Sequence, residues 1–171
     1  MEVMKNRYID AIKEVTKPAR DRIALAVGRV VLRLIDDTLP LQAIQIEALC
    51  GEVRDSVERL QNYGFTSVPL SGCRAVAVFP GGDRSSGIVV ATDDIRYRKK
   101  GLRPGEVAVY NNEGDFILLK NGGGIEITTK HGVVVRSPLV TVPDGDVIAS
   151  GISLKKHTHT GCQGGSTGLP N

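Results

Sequence analysis

The spacing of apolar residues near the N-terminus is that of a helix. Every third or fourth position is apolar up to residue 15, a period near 3.6 that is typical of an amphipathic helix. The apolar positions are Met4, Tyr8, Ile12 and Val15. Because helical backbone is disfavoured before a proline, we expect this helix to stop before Pro18. Residues 1–22 are therefore predicted to form a short helical segment that serves for docking.

The pattern changes to short alternating runs over residues 23–112. These runs are rich in β-branched and aliphatic residues and are divided by turns of Gly, Pro and Asp, which favours β-strands. The predicted strands are 24–34, 41–49, 74–79, 87–91 and 106–110, with the more polar stretch 51–60 as either an edge strand or a loop. Several short strands in a stretch of this length favour a small closed barrel, and the OB-fold is the leading candidate.

The pattern beyond residue 112 is more repetitive. Still shorter strands alternate with turns of Gly, Asn, Asp and Pro. The predicted strands are 116–120, 125–129, 133–136, 139–142 and 147–155. They leave one apolar stripe that a single chain of this length cannot cover. Three chains wound about a threefold axis would bury it in an intertwined β-helix or β-prism shaft over residues 113–155, whereas the alternative is an ordinary sandwich that continues the barrel.

Composition agrees with an all-β chain that has only a short helix. Gly accounts for 20 residues, aromatic residues for 4%, and there is no Trp. The net charge of +3 comes from interspersed charges without a basic stripe, so nucleic acid is not an expected partner.

The chain shows neither a secretory signal nor an apolar run long enough to span a membrane, so we expect it to be made in the cytoplasm. We expect all three cysteines, Cys50, Cys73 and Cys162, to be free thiols because no C-x-x-C pair is present.

Catalytic motifs are missing from the sequence. It contains no P-loop, G-x-G-x-x-G or H-E-x-x-H pattern. We therefore expect no enzyme activity and no catalytic residues. The alternatives are a tail-associated cell-wall hydrolase, which needs convergent carboxylates, and an OB-fold nucleic-acid-binding module, which needs stacking aromatics between basic residues.

The most informative chemistry is the pair His157 and His159. Residues i and i+2 of an extended chain point to the same side. Two imidazoles from one chain are too few for a firm metal site, but three chains supply six nitrogens, a set suited to octahedral Fe²⁺, Ni²⁺ or Co²⁺. The alternative is a polar tail that binds nothing. The small residues that follow favour a metal-binding tip over residues 156–171, because they can fold back tightly over an axial ion.

Two other groups carry weaker signals. Asp144 and Asp146 flank Gly145 and would supply oxygen ligands for Ca²⁺ if three chains brought them together. The simpler interpretation is that both aspartates form a turn. His131 stands beside Gly132, and we interpret it as a solvent-facing turn residue without a metal role.

Four stretches resemble the Mu-type phage baseplate spike family, also described as the baseplate assembly protein V group. The resemblance covers roughly residues 24–170. Its strongest stretches are YGFTSVPL (63–70), GGDR (81–84) with DDIRYR (93–98), GEVAVY (105–110) and, most specific of all, GISLKKHTH (151–159). The one departure is Cys162, where the family pattern leads us to expect an apolar residue such as Val.

The resemblance implies a structural virion protein rather than an enzyme. It implies a homotrimer with an N-terminal OB-fold, a β-helical shaft and a pointed tip in which His157 and His159 of each chain hold one iron ion. A member of this family is expected on the axis of the tail baseplate, in contact with the baseplate hub and tail tube proteins. Contraction of the tail is expected to drive its tip through the host outer membrane.

Overall fold

The computed structural model describes residues 2–48, 51–161 and 164–169, and for residues 2–6 it describes the backbone alone. The chain forms two compact units, residues 1–130 and 131–171. It is mostly strands with one N-terminal helix, which confirms the all-β class. The division into segments 1–22, 23–112, 113–155 and 156–171 stays a prediction.

Helix α1 runs over Glu2–Leu25, so the prediction that it stops before Pro18 is wrong. A proline inside a helix removes one backbone hydrogen bond, but it does not end a helix whose other residues continue to favour it. The apolar side chains of α1 lie in solvent, with exposed fractions of 71% for Tyr8, 62% for Ile12 and 81% for Val15. None of the described helices is long and apolar enough to cross a membrane.

Five strands close into a barrel. They are β1 (Val27–Asp36), β2 (Gln42–Glu47), β3 (Val53–Arg59), β4 (Arg74–Val78) and β5 (Ile88–Asp93). Their order around the barrel is β1-β2-β3-β5-β4. The pair β3–β5 is parallel and the other pairs are antiparallel. The stretch 51–60, which the sequence left between an edge strand and a loop, is therefore mostly a full member of the barrel.

The hydrophobic core lies inside this barrel. The buried apolar residues are Val30, Leu32, Ile44, Ile46, Val57, Cys73, Ala75, Ala77, Phe79 and Val89. Phe79 is fully buried, and a Cβ on Gly87 would lie 2.8 Å from its ring. Glycine at position 87 therefore makes room for the largest side chain of the core. Cys73 is a free thiol, and burial raises its pKa; Cys50 and Cys162 lie outside the described residues.

A separate antiparallel sheet follows in the same unit. It consists of β6 (Val107–Tyr110), β7 (Phe116–Leu119) and β8 (Ile125–Thr128), in that order. Strand β6, which we predicted among the barrel strands, pairs with β7 instead. The barrel is already closed by β1 to β5, so it has no free edge to receive another strand.

The unit 131–171 has little regular structure of its own. Strands β9 (Ile148–Ala149) and β10 (Ile152–Ser153) form a small hairpin. Ser150 and Gly151 both have positive φ and turn the chain back, so the prediction of one continuous strand over 147–155 is wrong. The predicted strands 133–136 and 139–142 are also not formed. Strands need hydrogen-bonded neighbours, and these two stretches have none within the described part of the chain.

Candidate functional site

The two predicted metal ligands lie next to each other. The ring centroids of His157 and His159 are 5.2 Å apart, and the ring planes are nearly perpendicular, at 89°. His157 is partly buried and His159 is exposed. The structure thus brings together both residues that the sequence singled out, whereas His131 is exposed elsewhere in the unit.

Backbone carbonyls determine which nitrogen of His157 is free. Its Nδ1 lies 2.9 Å from the carbonyl oxygen of Ser153 and 3.1 Å from that of Leu154. A carbonyl only accepts hydrogen bonds, so a neutral imidazole here carries its proton on Nδ1 and keeps the lone pair on Nε2. This is the usual arrangement of a metal-binding histidine, whose second nitrogen donates to a carbonyl or carboxylate.

The carboxylate of Asp146 organises the hairpin that precedes this histidine. Its Oδ1 accepts hydrogen bonds from the backbone N–H of Val147 at 2.8 Å and of Lys155 at 3.1 Å, and its Oδ2 accepts one from the hydroxyl of Ser153. The Ser153 bond is the main reason why the pKa of Asp146 lies below its usual value. Turn formation, the simpler of the two sequence interpretations, is thus a sufficient role for Asp146 within one chain. A calcium ion in the shaft stays a prediction.

The C-terminal tail folds back along the histidine segment. The backbone N–H of Thr167 donates to the His159 carbonyl at 2.9 Å, and the Thr167 hydroxyl accepts from the His159 N–H at 2.8 Å. Thr160 pairs with Ser166 in an antiparallel bridge. Small residues make this close return feasible, and a metal-binding tip over residues 156–171 stays a prediction.

One chain alone does not complete a metal site. Among the described residues, no group of three or more His, Cys, Asp or Glu side chains lies close enough together to hold an ion. The two imidazoles nevertheless fit the predicted group chemically, because His157 offers a lone pair on Nε2 and both are nitrogen donors of the type that Fe²⁺, Co²⁺ and Ni²⁺ accept. A metal ion at this pair stays a prediction.

The sheet β6–β8 has one entirely aliphatic face. Pairing places Val107 opposite Leu119 and Val109 opposite Ile117, and the same two residues of β7 lie opposite Ile125 and Ile127 of β8. Side chains of directly paired residues share a face. All six are at least 44% exposed. We call this set the aliphatic face; it has the alternation and the exposure predicted for the uncovered stripe.

The opposite face of the same sheet is better protected. The Lys99 ammonium lies 3.6 Å from the centre of the Phe116 ring. Lys120 pairs with Glu126, which crosses between β7 and β8. Asn121 donates to the Pro104 carbonyl at 3.3 Å and so ties the incoming segment to the sheet. Most side chains of this opposite face are partly buried, whereas those of the aliphatic face are exposed, and an exposed apolar patch is typical of an interaction site.

A buried arginine in the barrel was missed at the level of sequence. Arg59 is 8% exposed and donates to the Gln42 side chain at 2.8 Å, to the Ser67 carbonyl at 2.7 Å and to the Thr92 hydroxyl at 3.1 Å. It thereby ties the loop between β3 and β4 to the barrel. No spacing rule brings residues 42, 59, 67 and 92 together, so the sequence held no signal for this network.

The chain is similar to known proteins both in the barrel and over most of its length. Residues 29–96 match the family model described as Bacteriophage Mu Gp45, N-terminal. The chain is 34% identical to the "Baseplate puncturing device gp45" of Escherichia phage Mu over 187 residues, which cover 92% of this chain and 95% of that relative. It is 35% identical to the "Mu-like prophage FluMu protein gp45" of Haemophilus influenzae over 131 residues, covering 77% of this chain and 71% of that relative.

Proposed function

Because this chain belongs to the phage Mu gp45 family of baseplate proteins, we propose that it works as a homotrimeric spike whose C-terminal tip pierces the host outer membrane when the tail contracts. Its role is that of a structural baseplate spike protein, and such a protein is a component of the virion. The observation that carries this conclusion is the 34% identity to the Mu puncturing device over nearly the full length of both chains. With 92% of this chain matched, the similarity cannot be confined to the barrel.

The barrel supports assignment to the OB type. Five strands closed in the order β1-β2-β3-β5-β4, with one parallel pair between β3 and β5, have the size and Greek-key connectivity of that fold. The family model spans residues 29–96, which contain nearly all of the barrel strands. In a spike, such a barrel supplies a rigid mount for contacts with the baseplate hub and the tail tube.

The aliphatic face supports the trimer. Six exposed aliphatic side chains on one face of a three-stranded sheet favour association, and copies of the same chain around a threefold axis bury three such faces at once. Mutual winding also supplies hydrogen-bonded neighbours for residues 133–142, which have none in the described part of one chain. These features favour the shaft over the sandwich that continues the barrel.

The histidine pair supports a metal-binding tip with one ion per trimer. Three copies of His157 and His159 provide six imidazole nitrogens, and iron is the ion we propose. All six positions are then protein ligands, so the ion serves structure, by fastening three C-termini where strands otherwise fray. The protein's own contribution is to present Nε2 of His157 by holding its Nδ1–H on backbone carbonyls.

A mechanical function also explains the shortage of chemistry elsewhere. The Mu relative is described as a puncturing device, which favours a structural protein over a cell-wall hydrolase. Interspersed charges and scattered aromatics disfavour a nucleic-acid-binding barrel. Assembly in the host cytoplasm, before incorporation into the baseplate, completes the proposal.

The test is the mass and the iron content of the protein purified without an affinity tag. Light scattering should give the mass of a trimer, and elemental analysis should give about one iron per three chains, as six ligands on one ion require. The variant His157→Ala with His159→Ala should lose the iron, whereas the control variant His131→Ala should keep it. A metal-free monomer would overturn both the trimer and the tip.

A further inference from the structure

Burial in the C-terminal unit is confined to a few positions. Among the described residues from 131 onward, only Asp146, Ser153, His157 and Gly161 are partly buried, and all others are exposed. Hydrogen bonds connect three of these four residues: the Ser153 hydroxyl donates to the Asp146 carboxylate, and the Ser153 carbonyl accepts from the His157 ring. The most protected part of this unit is therefore the environment of one metal-ligand candidate.

The connection begins at the carboxylate of Asp146. It holds the hydroxyl of Ser153 on one oxygen and the backbone N–H groups of Val147 and Lys155 on the other. These contacts fix both ends of the β9–β10 hairpin. The pKa of Asp146 is lowered chiefly by the Ser153 bond, so the acceptor is charged at neutral pH, and hydrogen bonds to a charged acceptor are the stronger ones.

The connection continues through Ser153 to the imidazole. The Ser153 hydroxyl donates a hydrogen bond to Asp146 and accepts one from the backbone N–H of Lys156 at 2.9 Å, so it acts as donor and acceptor at once. This fixes the backbone at residues 153–156, and with it the two carbonyls that accept the His157 Nδ1–H. The backbone N–H of His157 also donates to the Ser153 carbonyl, at 3.1 Å.

We propose that Asp146 and Ser153 are positioning residues for His157, which fix its tautomer and ring orientation so that Nε2 is the ligand nitrogen. This inference rests on the metal-binding tip of the proposed function. It assigns a role to two residues outside the His-x-His pair, and it makes the hairpin turn part of the metal site. His159 has no such support, because its ring makes no hydrogen bond among the described residues.

The test uses the full-length trimer loaded with Co²⁺. The measurement is the rate at which Co²⁺ passes to excess EDTA, with light scattering to verify that each variant is a trimer. Ser153→Ala keeps the carbonyl that accepts from His157 but loses the hydroxyl that holds this backbone in place. It should release Co²⁺ faster by about 10-fold, the lower end of what the loss of an outer hydrogen-bond partner costs in metal affinity. Ser153→Thr keeps the hydroxyl and should release it at the wild-type rate. Asp146→Asn should resemble Ser153→Ala.

Asp144→Asn is the matched control. It removes the same charge from the same turn, but the Asp144 side chain makes no hydrogen bond within the described part of the chain, so its Co²⁺ release should equal that of the wild type. A second readout separates positioning from general loosening. In the NMR spectrum of the Co²⁺-loaded protein, the imidazole N–H signal of His157 should exchange with water faster in Ser153→Ala, while that of His159 should be unchanged.

The outcomes distinguish this inference from the proposal beneath it. If the wild-type trimer binds neither iron nor Co²⁺, the metal-binding tip itself is wrong. If the wild type binds Co²⁺ and Ser153→Ala releases it at the same rate, the tip stands and the positioning role is overturned. If Ser153→Ala does not assemble, Asp146→Asn against Asp144→Asn decides, because equal release rates in this pair also overturn the positioning role.

Discussion

The barrel and the remainder of the chain differ in where their apolar residues lie. Among the residues whose side chains the structure describes, ten apolar residues are buried, and all ten belong to the stretch 30–89, inside or at the end of the barrel. From β6 to the end, no described residue is buried, although this part contains many large apolar side chains that are exposed. One region completes a core within a single chain, and the other region does not.

This difference is what a spike requires. A barrel with its own core can fold before assembly and can present a defined surface to the baseplate. A shaft that obtains its burial only from other copies forms only in the trimer, and its chains cannot slide apart without breaking many contacts together. The proposed spike thus divides into a barrel that completes its own core and a shaft for which we propose burial between copies of the chain.

The largest expected effect is on the aliphatic face. Ile127→Asp places a carboxylate on that face in each chain, and burying an unpaired ion costs several kcal/mol. We expect complete loss of the trimer in light scattering, while the barrel stays folded by circular dichroism. Thr128→Asp adds the same charge one residue away on the opposite face and should leave the trimer intact. A trimeric Ile127→Asp would mean that the aliphatic face is not the assembly surface.

The second effect concerns the barrel alone. Phe79 is fully buried, so Phe79→Ala should lower the free energy of unfolding by about 3 to 5 kcal/mol, the usual range for an aromatic residue truncated in a core. Chemical denaturation of the monomeric Ile127→Asp background measures this without a contribution from assembly. Phe65→Ala is the control, because Phe65 is 67% exposed and should change the free energy of unfolding little. Equal effects from both substitutions would contradict the assignment of the core.

A third, smaller effect concerns the tip. The variant His157→Ala with His159→Ala should remain a trimer, since the shaft does not depend on the ion, but its C-terminal residues should be cleaved faster in limited proteolysis. Chelation of the wild type should have the same consequence. Dissociation of this variant into monomers would contradict the view that the shaft holds the chains together.

The barrel could largely be predicted from the sequence because the alternation of apolar and polar residues within a strand indicates which side chains are buried. Alternation in β1 and β2 places Val30, Leu32, Ile44 and Ile46 on one side, and all four are buried. Strand β3 was harder to recognise because one of its two inward side chains is Arg59, whose partners come from distant parts of the chain. Burial of a charged residue depends on tertiary contacts that no periodicity records.

For the C-terminal unit, the sequence indicated two candidate ligands, His157 and His159, from their spacing together with the small residues that follow them. The structure places the two rings side by side, and their role as metal ligands stays a prediction. The link through Asp146 and Ser153 was not visible, because it depends on the turn at Ser150 and Gly151, where a single extended strand was predicted. The stretch 133–142 shows the same limit, since its alternating pattern predicted two strands and neither is formed in the structure.

The smallest expected effect is on the pH dependence of the stability of the barrel. Arg84 and Arg54 bind the carboxylate of Glu52 at 2.6 Å and 2.7 Å and hold its pKa below the usual value, the Arg84 bond being the larger cause. A carboxyl group whose pKa is lower in the folded than in the unfolded protein stabilises the fold at pH values above its unfolded-state pKa. This stabilisation is lost as the pH falls through its folded-state pKa. Glu52→Gln should therefore lower the denaturation midpoint slightly at neutral pH, and the difference from the wild type should vanish in acid. Glu58→Gln, which removes a carboxylate without an ion pair among the described residues, should show no such convergence. Because the barrel folds on contacts within one chain, the Glu52→Gln effect should be the same in the trimer and in the Ile127→Asp monomer; a difference between the two backgrounds would show that assembly contributes to the barrel.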